Sequence, residues 1–238
     1  MEKPTLYIVA TPIGNLEDMT YRAVRILKEV STIFCEDTRT TRVLLNRYDI
    51  KTSTASFHAH SGDSKYEKIV SMLQSGLSVA LVSDAGTPGI SDPGTELVSF
   101  VRECLGSTVA IVPLPGASAL VAALSAAGIP SHEFIFFGFL PHKKGRKTLF
   151  DEIRSVDRTC VFYESPHRIE KALESLSGSG KKITVARELT KTFEEFVSGT
   201  AEEVLASLVE RKVIRGEFVV IVSSFEKKVI NEYNNDHE

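Results

Sequence analysis

The sequence has few cysteines and no long hydrophobic run, and both shortages limit what the protein can be. Its 3 cysteines, Cys35, Cys104 and Cys160, are far apart and form no CxxC pair. We therefore expect neither a disulfide scaffold nor a thiolate zinc site, and a reducing cytoplasm fits best. The longest apolar runs, such as residues 79–82 and 218–222, fall far short of the roughly 20 residues that a membrane span needs, so we expect no membrane partner.

An excess of positive charge is also lacking. The 238 residues carry 28 Lys and Arg against 31 Asp and Glu, a net charge of −3. Overall charge therefore gives no sign of nucleic acid, and any RNA contact must depend on a local basic patch. The first residues lack a basic stretch followed by a long apolar stretch, so we expect no secretory signal.

Short apolar runs alternate with segments of helical periodicity along the chain. The runs typical of strands are residues 6–10, 32–35, 79–83, 109–114, 134–139, 159–163, 183–186, 193–199 and 217–223. Such alternation predicts an α/β fold, here two consecutive α/β domains with mostly parallel or mixed sheets flanked by helices. We place the break at residues 113–116, which gives domains 1–115 and 116–225 and a polar tail 226–238 that frays. Thr20 is the predicted N-cap of the first helix.

The loops after the strands are the first places to search for a site, because ligands of open α/β sheets bind beyond the carboxyl ends of the strands. The first loop, residues 11–15, has only Gly14, whereas a dinucleotide fingerprint needs GxGxxG, which argues against a nicotinamide enzyme. Residues 84–89 are rich in Gly and Pro, which predicts a ligand-facing loop, with Ser91 or Asp92 capping a helix from Pro93. Residues 116–118 fit an anion site at a helix N-terminus and a rigid hinge equally well.

Charged and imidazole side chains also gather near predicted strand ends. Residues 36–39, 164–168 and 187–191 each follow a strand, and residues 143–147 hold four cations in a mildly acidic chain. The basic run indicates either a phosphate contact or a solvated surface. His58 and His60 are spaced to chelate a metal, but no third ligand is evident, so we expect no metal site.

Together these segments resemble a known family. The matching segments are LYIVATPIGN at 6–15, EDTR at 36–39, SDAGTPGISDPG at 83–94, PLPGASA at 113–119, ESPHR at 164–168 and RELTK at 187–191. They resemble the bacterial 16S ribosomal RNA ribose methyltransferases of the tetrapyrrole-methylase superfamily, the class III methyltransferases, in order over nearly the whole chain. The resemblance implies two α/β domains with S-adenosylmethionine in the cleft between them, and commonly a homodimer. The implied reaction is methylation of the ribose 2′-hydroxyl of one cytidine in the decoding centre of 16S rRNA, within the small ribosomal subunit.

The resemblance also implies a set of cofactor-binding residues. In the superfamily the loop after the first strand is glycine-rich. Here that loop, residues 11–15, has only Gly14, which argues against a tetrapyrrole substrate. The residues implied to contact the cofactor are Pro12, Ile13, Asp84, Ala85, Gly86, Thr87, Ala117, Ser118, Tyr163, Leu189 and Gly216.

The chemistry adds two hypotheses. A ribose hydroxyl is a poor nucleophile, so the enzyme must align it with the methyl group and ease removal of one proton. We expect a base among Asp37, Glu188 and Lys191, although alignment alone could suffice. The residues expected to contact RNA are Arg39, Arg42, Arg47, Lys143, Lys144, Arg146, Lys147 and Arg187. The alternatives are a methylase of this fold acting on a tetrapyrrole or another small molecule, and a ribosome-assembly factor without activity.

Overall fold

The structure is a computed structural model that describes residues 3–58, 63–92 and 94–223. His60, Pro93 and the predicted tail 226–238 lie outside these residues. The chain divides into two compact units, Met1–Ala119 and Leu120–Glu238. The domain boundaries predicted at residues 115 and 225 stay predictions.

The first unit contains one fully parallel sheet. Its strands are β1 (Thr5–Val9), β2 (Thr32–Cys35), β3 (Thr54–Ser56), β4 (Val79–Val82) and β5 (Ala110–Leu114), in the order β3-β2-β4-β1-β5. Its helices are α1 (Tyr21–Glu29), α2 (Thr38–Arg47), α3 (Asp63–Gln74) and α4 (Gly94–Leu105), with short 3-10 turns at Leu16–Asp18 and Gly106–Thr108. The carboxyl ends of all five strands therefore lie at one edge of the sheet.

The central strand β4 shows why this sheet is covered on both faces. Val79 and Leu81 pack into one apolar cluster, and Ala80 and Val82 pack into another on the opposite face. Successive strand residues point to opposite faces, so a strand apolar at every position is stable only between two layers of helices.

The second unit contains a mixed sheet. The helix α5 (Ala119–Ala126) leads to β6 (Phe134–Phe139), α6 (Arg146–Ser155), β7 (Thr159–Glu164), α7 (Ile169–Leu176), β8 (Lys182–Arg187), β9 (Glu195–Gly199), α8 (Ala201–Glu210) and β10 (Phe218–Ser223). The strand order is β6-β7-β10-β8-β9, and only β6 and β7 pair in parallel. The predicted α/β fold is confirmed, with a parallel sheet in one unit and a mixed sheet in the other.

The structure confirms one predicted helix cap and decides between two candidates for another. Thr20 accepts a hydrogen bond from the backbone N–H of Ala23, as predicted for the start of α1. Before α4, Asp92 accepts from the N–H of Gly94 at 3.1 Å, whereas Ser91 has a positive φ of 67°. Asp92 is therefore the cap of the two candidates. No helix in the described part of the chain is long and apolar enough to cross a membrane.

Candidate functional site

Two loops at the carboxyl edge of the first sheet are hydrogen-bonded to each other. The N–H of Thr11, after β1, donates to the carbonyl of Gly86, after β4, at 2.9 Å, and the N–H of Gly86 donates back at 3.0 Å. The Thr11 hydroxyl donates to the Ser83 carbonyl at 3.0 Å, and the Ser83 hydroxyl donates to the Gly86 carbonyl at 3.1 Å. This network fixes the backbone of both loops.

The loop after β5 joins the same network. The Thr87 hydroxyl donates to the Ala117 carbonyl at 3.0 Å. A Cβ added at Gly116 would lie 2.7 Å from the Cβ of Ala10, so only glycine lets the loop after β5 pass this close to the residue that follows β1. Gly86 has φ +82°, and a Cβ there would lie 3.5 Å from Ile13 Cγ2. The structure thus brings together Ile13, Gly86, Thr87 and Ala117, four of the residues that the resemblance assigned to the cofactor; the assignment itself stays a prediction.

The rest of the glycine-rich loop is shaped by its own packing. Asp92 also accepts from the N–H of Gly89, whose φ is +87°. A Cβ on Gly94 would lie 2.7 Å from the Gly89 nitrogen. These two glycines therefore serve the turn into α4.

A cavity of about 270 Å³ opens at this edge of the first unit. Its lining combines apolar side chains, hydroxyl groups and one carboxylate; the residues are Thr11, Pro12, Leu16, Thr40, Thr41, Val43, Leu44, Ser83 and Asp84. Pro12 and Asp84, both predicted cofactor residues, lie in this lining.

Asp37 is the N-cap of α2, and its carboxylate is bonded to the first turn of that helix. Its carboxylate caps α2 by accepting from the Arg39 N–H at 2.8 Å, and it pairs with the Arg39 guanidinium at 2.7 Å. These hydrogen bonds lower the pKa of Asp37 to about 2. Its own N–H donates to Asp84 at 3.1 Å, which links the loops after β2 and β4. A carboxylate with so low a pKa is a weak proton acceptor at neutral pH.

The neighbouring Glu36 shows the opposite shift, which the sequence did not reveal. Burial raises the pKa of Glu36, and the charges of Asp84 and Asp92 raise it further, against a hydrogen bond from the Asp84 backbone. Partial burial among carboxylates produces this effect. The clue in the sequence was the acidic pair directly after a buried strand.

Glu188 and Lys191, the other two predicted base residues, form an ion pair in the second unit. Lys191 Nζ lies 2.9 Å from Glu188 Oε1 and 3.0 Å from Glu217 Oε2, and the Glu217 N–H donates to Glu188 at 3.0 Å. Burial opposes both charges, but these hydrogen bonds outweigh it, so the pKa of Glu188 is lowered and that of Lys191 is raised. Both groups are thus charged at neutral pH, and the lysine is a donor.

The remaining predicted cofactor residues occupy varied environments. The Tyr163 hydroxyl accepts from the Leu120 N–H at 3.1 Å, its ring lies edge-on to Phe136 and Phe139, and burial raises its pKa. Leu189 is buried, and Gly216 has φ +91° beside the Glu188 carboxyl group. Ala85 is exposed and Ser118 is half-buried.

Two of the arginines predicted to contact RNA are engaged inside the second unit. Arg146 pairs with the buried Glu164 at 2.7 Å, and its guanidinium lies 5.0 Å from the centre of the Phe150 ring. Arg187 is only 4% exposed, and its Nε donates to the carbonyls of Val213 and Arg215 at 2.9 and 3.1 Å. Their donors hold neighbouring loops, so this placement disfavours direct phosphate contact by either one. The exposed cations of the predicted set are Arg39, Arg42, Arg47, Lys143, Lys144 and Lys147.

No group of three or more metal-ligating side chains gathers within the described ranges. His58 is among those residues, but its predicted partner His60 is not. No metal centre is therefore assembled from the part of the chain that the structure describes.

The fold has counterparts among known proteins. The family model described as Tetrapyrrole (Corrin/Porphyrin) Methylases matches residues 5–205. Cobalt precorrin-4 methyltransferase, a cobalamin biosynthetic enzyme, has a similar fold, with a TM-score of 0.67 and 17% identity over 92% of this chain and 94% of that one. Uroporphyrin-III C-methyltransferase from Thermus thermophilus, solved with S-adenosyl homocysteine, gives a TM-score of 0.60 and 20% identity over 92% and 97%. The chain belongs to the tetrapyrrole methylase family.

Closer relatives narrow this class. The chain is 47% identical to ribosomal RNA small subunit methyltransferase I of Halalkalibacterium halodurans, over 96% of this chain and 78% of that protein. It is 48% identical to the protein of the same name in Vibrio cholerae (93% and 78%) and 45% identical to that in Bacillus subtilis (95% and 77%). Within the methylase family it groups with these proteins.

Proposed function

We propose that this protein transfers a methyl group from S-adenosylmethionine to the ribose 2′-hydroxyl of a cytidine in 16S rRNA, within the small ribosomal subunit. The observation that supports this most is the identity of 45–48% to methyltransferases of small-subunit rRNA over more than nine-tenths of the chain. The proposal includes a cytoplasmic location and a homodimer.

The loops at the carboxyl edge of the first sheet suit the methyl donor. They offer a backbone fixed by the Thr11–Gly86 pair and a close approach where Gly86 has no side chain. We assign Ile13, Ala85, Gly86, Thr87, Ala117, Ser118, Tyr163, Leu189 and Gly216 to donor binding; Pro12 and Asp84, which the resemblance also implies for the donor, line the cavity beside α2. When bound, S-adenosylmethionine supplies a methyl group that its sulfonium has already activated.

The protonation states favour catalysis by alignment over a strong base. Asp37 has a pKa of about 2, Glu188 has a lowered pKa, and Lys191 is held as a cation. These three residues remain our catalytic set, and their main contribution is to hold the reacting hydroxyl in position while its proton leaves. Replacing each by Ala should reduce kcat while the affinity for S-adenosylmethionine is kept. Near-wild-type turnover in all three variants would contradict the assignment.

The exposed cations supply the contact with RNA. Arg39, Arg42 and Arg47 lie on α2, Lys143 and Lys144 lie just before α6, and Lys147 lies in its first turn. Local clusters of this kind attract phosphates even when the whole chain is slightly acidic.

The experiment that tests the function uses small ribosomal subunits from cells that lack this gene. The protein and labelled S-adenosylmethionine are added, and the labelled nucleoside is identified after nuclease digestion. Recovery of 2′-O-methylcytidine is the expected result. No transfer despite tight binding of S-adenosylmethionine would contradict the rRNA substrate and favour another acceptor such as a tetrapyrrole. Binding of subunits without binding of S-adenosylmethionine would favour an assembly factor.

A further inference from the structure

The cavity beside α2 lies where the topology of the first sheet favours a ligand. β2 and β4 are neighbours in the sheet, but the chain leaves them toward opposite edges. After β2 it forms β3 at one edge, and after β4 it forms β5 at the other. Ligands of open α/β sheets bind at such a switch point. The hydrogen bond from the Asp37 N–H to Asp84 joins the two loops at this point.

The size and chemistry of the cavity indicate a small, flat ligand with one polar edge. Its volume of about 270 Å³ is below the range of about 300–1,000 Å³ that holds drug-sized molecules, so it suits a single ring better than a whole S-adenosylmethionine. Pro12, Leu16 and Leu44 provide apolar walls, and Asp84 provides a carboxylate. Apolar walls accept the faces of a nucleobase, and a carboxylate accepts from the exocyclic amine of cytosine.

The surroundings of the cavity match the rest of a nucleotide. Arg39, on the same helix as four lining residues, is 91% exposed, and Asp37 holds its guanidinium. Arg42, also on α2, is exposed. Val43 lines the cavity yet is 61% exposed, which core packing does not explain. Cations beside an apolar opening suit a base that has left its stack while its phosphates stay outside.

We propose that this cavity receives the base of the acceptor nucleotide, splayed out of the RNA, and that Asp84 selects a pyrimidine bearing an exocyclic amine. The inference rests on the proposed function and adds where the acceptor is held and how cytidine is distinguished from uridine. Insertion of the base fixes the attached ribose at the edge of the sheet where the donor loops lie.

Filling the cavity tests the proposal. In V43W a large side chain would occupy the opening, and because Val43 is exposed the fold should be kept. The matched control is N46W, because Asn46 is an exposed residue of the same helix outside the lining. Three quantities are measured: the Kd for small subunits, the KM for methyl transfer to them, and the Kd for S-adenosylmethionine.

We expect V43W to raise the Kd and KM for subunits at least tenfold, with the Kd for S-adenosylmethionine unchanged and N46W like the wild type. Unchanged subunit binding in V43W would overturn the proposal. A raised Kd for S-adenosylmethionine with unchanged subunit binding would also overturn it, because the cavity would then belong to the donor. A wild-type protein that binds subunits without methylating them would contradict the proposed function alone, and the binding data would still decide on the cavity.

The selectivity has its own test. Subunits carrying uridine in place of the target cytidine are compared with unaltered subunits. The selectivity is kcat/KM for the cytidine subunits divided by kcat/KM for the uridine subunits. We expect it to fall about tenfold or more in D84N, because the introduced side-chain amide can also donate to the uracil oxygen. An unchanged ratio would overturn the role of Asp84 in selection.

Discussion

Glu188 depends on the missing side chain of Gly216. A Cβ at Gly216 would overlap the Glu188 carboxyl group, and the φ of Gly216 is +91°. The carboxylate uses this space to accept from the Glu217 N–H at 3.0 Å and from Lys191 at 2.9 Å.

Replacing Gly216 by Ala should therefore destabilise the protein by more than backbone strain alone. The control is G180A, because Gly180 also has a positive φ, +68°, but nothing lies within 4 Å of an added Cβ. We expect about 1–2 kcal/mol from strain at each position, with a further loss in G216A from the displaced Glu188. Urea unfolding of both variants measures the difference. Equal losses would show that the carboxyl group moves aside freely.

The pKa of Asp37 predicts how stability changes in acid. Its folded pKa of about 2 is below its ordinary value of 3.8, so the stabilisation is complete above about pH 4 and is lost as the pH falls through 2. D37N keeps an N-cap, since Asn also caps helices, but has no charge to lose.

We therefore expect the Tm of D37N to fall less than that of the wild type between about pH 4 and pH 2. Thermal unfolding followed by circular dichroism at several pH values in this window provides the measurement. Parallel curves for the two proteins would contradict the pairing with Arg39.

At the scale of the elements, Glu164, the last residue of β7, connects this strand to the starts of α6 and α7. Its carboxylate is buried and lies 2.7 Å from Arg146 and 2.8 Å from Arg168, and Arg168 also donates to the Leu140 carbonyl at 2.9 Å. The end of β7, the start of α7 and the start of α6 are thereby held by one acid.

Removing Glu164 should be severe because two largely buried arginines would lose their counter-charge. We expect E164A to cost about 3–5 kcal/mol of unfolding free energy. The exposed i,i+4 pair of Arg25 and Glu29 is the comparison, and E29A should cost no more than about 0.5 kcal/mol. Chemical denaturation measures both, and similar losses would refute the role of burial.

The elements also show what the sequence could and could not predict. Strong apolar periodicity predicted most strands, including β2 and β6 at their observed bounds. The helix α2 was missed because it begins Thr-Arg-Thr-Thr and buries only Thr41, Leu44 and Leu45. The helix α8 was also missed, although its capping box of Thr200 and Glu203 was a usable signal.

The charged residues of the candidate site were harder to interpret from sequence. Arg146 lies within the basic run of residues 143–147, yet its partner Glu164 is eighteen residues away along the chain. Arg187 likewise donates to the carbonyls of Val213 and Arg215, with β9 and α8 lying between them along the chain. The sequence shows where a cationic residue stands, but contacts with residues distant in the chain decide whether its side chain faces solvent.

At the scale of the whole molecule, the net charge of −3 means that attraction to RNA has to come from a few exposed cations. Replacing Lys143, Lys144 and Lys147 together by Ala should weaken subunit binding. It should also reduce the slope of log K against log salt by about 2–3, since each lost phosphate contact removes roughly 0.7–0.9.

The control for this variant changes the net charge equally. Lys28, Lys68 and Lys171 are exposed lysines outside the predicted RNA surface, and replacing all three by Ala should leave the slope nearly unchanged. Filter binding of small subunits at several salt concentrations measures both variants. Equal slopes would assign the effect to net charge and not to the cluster.

The reciprocal hydrogen bonds between Thr11 and Gly86 have a kinetic consequence. Each amide proton is held by the other residue's carbonyl, so neither can reach solvent deuterium until both loops separate. The two amides should therefore exchange at a common opening rate, although they are seventy-five positions apart in the sequence. A ligand that touches either loop should slow both amides by the same factor, so that deuterium uptake at Thr11 reports occupancy at Gly86.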